Sequence, residues 1–171
     1  MKRILETAGH KRQAAFTLIE MLIVIVILGI LAMVIIPQIS TSTDDAKLAT
    51  LQTNLSSVRN AVELYYAQHN SVYPGAVLGG APNAATAFVQ QLTRYTDIAG
   101  TISVTRSATN KFGPYIKGGN IGVNPFNNKS DVVVDTTVNN ITTKTSDGTT
   151  GWKFYAITGV FMANDGAHDN E

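Results

Sequence analysis

The chain has no cysteine among its 171 residues. That excludes disulfide staples, zinc-thiolate sites, iron-sulfur clusters and thiol catalysis, and it leaves the redox compartment unread. Charge is scarce as well. Charged residues make up 15% of the chain, against roughly a quarter in an ordinary soluble domain, so apolar residues are concentrated somewhere. Neither sign of charge dominates: 13 Lys and Arg face 12 Asp and Glu, a formal net charge of +1. A chain-wide nucleic-acid footprint needs a strongly basic face, and nucleic acid is not an expected partner. There is no HExxH spacing, and Gly118-Gly119-Asn120 lacks the Lys and Ser/Thr of a phosphate-cradling loop. No enzyme is expected from this set of residues. The length fits one domain and an appendage.

What is present is uneven. Residues 1–15 hold four basic side chains and one acidic, a net of +3, which leaves the other 156 residues at −2. Next comes Phe16 to Ile36, a run of 21 residues whose one strongly polar member is Glu20. As a helix rising about 1.5 Å per residue, the run is long enough to cross a bilayer core of roughly 30 Å. The basic flank predicts a cytoplasmic N-terminus and a single span with everything beyond Pro37 outside. A cleaved secretory signal ends in a small-x-small site. This run ends Met33-Val34-Ile35-Ile36-Pro37 and is expected to be retained.

Lys11-Arg12-Gln13-Ala14-Ala15 followed by Phe16-Thr17-Leu18-Ile19-Glu20, with Gly29 and Pro37 beyond, resembles the N-terminal signal of type IV prepilins and type II secretion pseudopilins. The resemblance implies cleavage between Ala15 and Phe16 by a membrane peptidase, then methylation of the new Phe16 amine. The family usually has Gly before the Phe, where this chain has Ala15. It also implies an α+β, pilin-like fold, a long N-terminal helix packed on a small antiparallel sheet. Partners implied are copies of the chain itself, the prepilin peptidase/methyltransferase, and an inner-membrane assembly platform with its ATPase. The subunit would sit in the prokaryotic cytoplasmic membrane before entering a periplasmic or extracellular filament.

Three residues of the run are candidates for assembly. Ionised and unpaired, Glu20 would cost a few kcal/mol inside a membrane, less near its edge. It either snorkels to the interface or meets the Phe16 amine of a neighbouring subunit, in which case the pair fixes register more than it adds stability. Gly29 and Pro37 bracket a stretch where helix support is weak. That stretch is either a membrane-helix kink or a segment that unwinds when subunits pack.

The polar stretch Ser40 to Asp45 is read as a short break or as the start of a second helix. Beyond it, Leu48, Leu51, Leu55, Val58, Val62 and Tyr65 recur at helical spacing, one apolar stripe expected to pack on a sheet. The expected organisation is a leader at 1–15, a transmembrane and polymerisation helix at 16–37, an amphipathic half-helix at 38–70 and a globular head at 71–171. Within the head, a short helix is predicted from Ala84 to Tyr95. Strands are predicted at 101–105, 131–138, 141–144 and 152–163, with turns at Asp147-Gly148 and Thr158-Gly159. The closing segment from Gly151 to Asp165 resembles the last hairpin of the major pseudopilin.

His69 is placed at a helix end, where a cation suits the dipole, and His168 in a polar tail. Asp131, Asp135, Asp147, Asp165 and Asp169 offer hard oxygen ligands, so calcium in the C-terminal loops is a candidate, without assigned ligands, beside solvated turn aspartates. Lys111 to Lys117 interleaves basic and aromatic residues, but two lysines are too few for a single-strand groove, and a loop anchored by its aromatics is expected. The function expected is a structural subunit of a type IV pilus-like filament. The alternatives are the major pseudopilin of a type II secretion system and a membrane-tethered binding module that never polymerises.

Overall fold

The computed structural model describes residues 16–140, 142 and 144–171, with the backbone alone at 34–42. The leader 1–15, with Ala15, lies outside the described residues, as does the side chain of Pro37. The fold is α+β and pilin-like. Helix α1 spans Leu18–Gln68 and α2 spans Ala84–Thr93. Five short strands follow: β1 Tyr95–Thr96, β2 Ile102–Ser103, β3 Val132–Asp135, β4 Trp152–Tyr155 and β5 Val160–Ala163. The chain divides within α1 into two compact units, one ending at Thr43 and the other beginning at Asp44.

In the first unit α1 starts on a side-chain cap and runs without interruption past Gly29. Its backbone stays helical through Pro37 and the polar stretch that follows, so no break separates 40–45 from the rest. Every described side chain from Phe16 to Met33 is exposed, Leu18 at 84% and Met33 at 81% among them. A helix apolar on all faces has no stable place in water; lipid or other apolar helices must cover it.

In the second unit the stripe behaves as its spacing predicts. Leu51, Leu55, Val58, Val62 and Tyr65 are buried, with Leu48 packed against them. They meet Phe88 and Leu92 of α2 and Trp152, Phe154 and Phe161 of the sheet. Arg59, off the stripe, donates from Nε to Phe161 O at 3.0 Å and covers the outer edge of β5. Helix α2 is capped by Asn83, whose side chain accepts from Thr86 N–H.

The main sheet has the order β3-β4-β5. Its β4–β5 hairpin is antiparallel, with Phe154 opposite Phe161, while β3 runs parallel to β4. The expected sheet was antiparallel throughout; the observed one is mixed. Sixteen residues, 136–151, join β3 to β4, long enough for a crossover return, and side-chain alternation carries no information on strand direction. Asp147-Gly148 lies inside that connection instead of joining two strands. The predicted strand at 141–144 lies partly outside the described residues, and Thr142 and Lys144 within it are in no strand. A second small sheet pairs β1 with β2 antiparallel.

Candidate functional site

The first turn of α1 is built as a reciprocal cap. Thr17 N–H and Thr17 Oγ1–H both donate to Glu20 Oε2 at 2.8 Å, and Glu20 N–H donates back to Thr17 Oγ1 at 3.3 Å. A Thr at the cap position with a Glu three residues on satisfies helix-end N–H groups in just this way. The carboxylate also sits where the helix dipole favours negative charge. Glu20 is thus tied to Thr17, one residue from Phe16. Among the described residues its Oε1 takes no hydrogen bond. The Thr17-x-x-Glu20 spacing was the sequence signal for this cap, and Thr17 is the site residue that the sequence reading passed over.

Phe16 is 76% exposed. Gly29 has open space where a Cβ would stand, so no neighbour among the described residues requires glycine there. The structure therefore brings Glu20 together with Thr17 beside Phe16, while Gly29 stands apart on an uncovered helix. Among the described residues no helix is long and apolar enough to cross a membrane. The described side chains of the apolar run stop at Met33, and Val34, Ile35 and Ile36 fall outside them.

The described acidic residues of the C-terminal part are spread over several loops. Among the described residues no group of three or more His, Asp or Glu side chains is placed to hold a metal ion. Each of four aspartates is engaged locally. Asp131 Oδ1 accepts from Gly151 N–H, and Asp135 Oδ1 from Thr137 and Val138. Asp147 Oδ1 accepts from the side chain and the backbone of Thr149 and from Asn164, bonds that hold its carboxyl down to about 2. Burial pushes Asp165 up, but donors from Asn124, Ala167 and His168 outweigh it and leave its carboxyl below the ordinary value. These hydrogen bonds give the four aspartates a structural role in closing their loops.

The other candidates turn inward. His69 is 1% exposed, with both ring nitrogens engaged; the cation expected at a helix end is a neutral core side chain. The ring of Tyr115 packs edge-on to Tyr65, and its hydroxyl donates to Gln68 Oε1 at 2.7 Å. Phe112 tilts against His69, and Lys111 lies over the Phe112 ring. The 111–117 loop is anchored by its aromatics.

The prokaryotic N-terminal methylation motif matches residues 10–36. Over 70 residues the chain is 36% identical to the type II secretion system core protein G of Pseudomonas aeruginosa, covering 41% of this chain and 49% of that protein. The protein of the same name from Vibrio cholerae is 38% identical over 64 residues, 37% of this chain and 43% of its own length. That from Aeromonas hydrophila is 36% identical over 64 residues, 37% and 44% of the two lengths. The chain thus spans about half the length of the curated relatives it matches. No solved structure matches it.

Proposed function

We propose that the chain is a structural subunit of a helical filament of the type IV pilus and type II secretion kind. It is made as a prepilin, cleaved between Ala15 and Phe16, methylated on the Phe16 amine and polymerised through α1. The observation that carries this reading is the Thr17–Glu20 cap at the head of a helix whose described apolar faces are all uncovered, inside the segment matched by the methylation motif. The names of the relatives favour the secretion pseudopilus over the pilus.

Cleavage turns the Phe16 amide into a cationic amine. Glu20 Oε2 is taken by Thr17, which leaves Oε1 for a neighbour's amine, so capping its own helix and pairing with the next subunit are compatible. An ion pair of this sort sets register more than it adds net stability, because desolvating both ions offsets much of their attraction. Register is what a helical polymer has to specify. The apolar run holds the subunit in the membrane before assembly and packs against its copies afterwards, each cover excluding water from the same side chains. The partners are copies of the chain, the prepilin peptidase/methyltransferase, and an assembly platform with its ATPase.

Intact mass and peptide mapping of sheared surface or periplasmic filament material test this. A first residue of methylated Phe16 is expected. A chain that starts at Met1 and stays in membranes would overturn the proposal, since the Phe16 amine would then never exist.

A further inference from the structure

Gly118-Gly119-Asn120 is not followed by the Lys and Ser/Thr of a phosphate-cradling loop, but the fold supplies both residue types from elsewhere. Lys117 stands directly before the glycines, and Ser57 is brought in by α1. With Asn54 and Asn120 they wall a pocket of about 220 Å³ over the buried Val58 and Ile121. Asn54 ties helix to loop, its Nδ2 donating to Val123 O at 3.1 Å. Among the described residues no carboxylate lines this pocket.

The groups around it are donors without acceptors. Ser57, Lys117 and Asn120 are exposed. Among the described residues Lys117 makes no ion pair, and neither its Nζ nor Ser57 Oγ makes a hydrogen bond. Asn120 Oδ1 accepts from Gly122 N–H at 3.3 Å, which leaves its Nδ2 free to donate. The backbone N–H groups of residues 117–121 likewise find no acceptor among the described residues. Gly118 and Gly119 have φ of +100 and +80, a region that glycine enters without penalty, and open space where a Cβ would stand. Their backbone can be approached closely. Successive unpaired N–H groups in a turn form an anion-binding surface. Asp131, which lines a neighbouring groove with Gly119, accepts from Gly151 N–H. A cation, two side-chain donors and glycine backbone thus share one pocket with no carboxylate in its walls.

We propose that this pocket binds a phosphate-sized oxyanion, free or as the phosphoryl group of a larger solute. Lys117 supplies the charge, Ser57 Oγ and Asn120 Nδ2 donate hydrogen bonds, and the Gly118-Gly119 backbone offers N–H groups to the remaining oxygens. A tetrahedral oxyanion presents acceptors in several directions, which suits donors that converge from a helix and a loop. A planar carboxylate fills fewer of them. Bound there, the anion staples the 116–122 loop to α1. The site is independent of Phe16 and Glu20, so its test stands apart from that of filament assembly.

The experiment uses the full chain, isotope-labelled in maltoside micelles and titrated with inorganic phosphate at constant ionic strength set by chloride. The backbone amide signals of residues 117–120 should shift and saturate. Lys117→Gln should weaken binding on the order of tenfold and Ser57→Ala on the order of threefold. Lys111→Gln, which removes an exposed lysine outside the pocket, should leave it unchanged. Acetate should bind on the order of tenfold more weakly than phosphate. Phosphatidylglycerol added to the micelles separates the two sources of a phosphoryl group. Saturation by phosphate alone assigns the free ion, and saturation by the lipid, lost in Lys117→Gln, assigns a headgroup; each supports the site. Unmoved 117–120 amides with both, shifts that grow without saturating, acetate binding as tightly as phosphate, or equal losses from Lys111→Gln and Lys117→Gln would each overturn the proposal. Shifts of the same amides that rise with protein concentration alone would give the pocket to a second copy and overturn it too.

Discussion

The imidazole of His69 stacks on the Tyr65 ring at 3.7 Å with the planes 4° apart. Its Nδ1 lies 2.8 Å from Tyr65 O and its Nε2 2.9 Å from Thr96 Oγ1. A carbonyl only accepts, so Nδ1 carries the proton and Nε2 accepts from the Thr96 hydroxyl. Burial lowers the pKa of this ring, and the Tyr65 carbonyl and the Asp97 backbone and charge oppose the shift without reversing it. Tyr65, Thr96, Phe112 and Tyr115 close the remaining sides. The unfolded chain then takes up a proton that the folded chain refuses. Stability is full above about pH 6.5, the ordinary histidine value, and falls as the pH drops through it. Thermal melts of the full chain in detergent should show a Tm that is flat above pH 7 and declines between about pH 6.5 and 5, and His69→Gln should flatten that decline. The carboxyl of Asp147, held down to about 2, contributes stability that is lost lower, as the pH falls from about 4 towards 2. The two windows are separable in one titration.

At the scale of elements, short polar staples hold the loops to the helices. Gln91 is fully buried on α2. Its Oε1 accepts from Gly75 N–H at 2.8 Å, and its Nε2 donates to Val77 O and Gly100 O at 2.9 Å each. One amide thus ties α2 to the loop after α1 and to the β1–β2 hairpin. Replacing it with an apolar residue of similar size leaves three backbone groups unpaired, each costing about 1–3 kcal/mol when buried. Gln91→Leu should therefore destabilise the second unit by about 3 kcal/mol in denaturant titration, with extra hydrogen exchange at Gly75 and around Gly100. The β4–β5 turn is fixed similarly. Gly159 has φ +75, and a Cβ there would run into the Tyr73 ring, which itself stacks on Tyr66 at 4.2 Å. Gly159→Ala meets both the left-handed backbone and that ring, and should cost more than the roughly 1 kcal/mol of a simple conformational penalty. Unfolding of the variant by urea gives the number.

For the molecule as a whole, the cap on α1 and the proposed contact between copies make different demands on Glu20. Glu20→Gln keeps an oxygen able to accept from Thr17 but removes the charge; Glu20→Ala removes both. If pairing with a neighbour's amine sets register, both variants should lower filament yield on the order of tenfold, while only Glu20→Ala frays the first turn of α1. Filament yield by shearing and helix content of the micellar protein separate the two roles. A Glu20→Gln variant that assembles normally would leave the carboxylate with capping alone. Ala15→Gly, which restores the family's usual residue at the cleavage position, should raise the processed fraction in a pulse-chase experiment.

Much of this chain is legible from local pattern. The 3-and-4 spacing of Leu48 to Tyr65 determined which helix face is buried, because helical geometry maps sequence spacing directly onto a surface. The run from Phe16, with its Glu, Gly and Pro, marked the prepilin segment, and the methylation motif matches there. The hairpin at 152–163 followed from alternation and a glycine turn. What local pattern does not carry is which distant segments meet. The parallel sense of β3 depends on how a sixteen-residue connection returns, the burial of His69 on packing by residues from 65 to 115, and the dispersal of the aspartates on which turn each one closes. Those outcomes are decided by long-range packing, where the competing arrangements share the same local sequence and differ only in tertiary contacts.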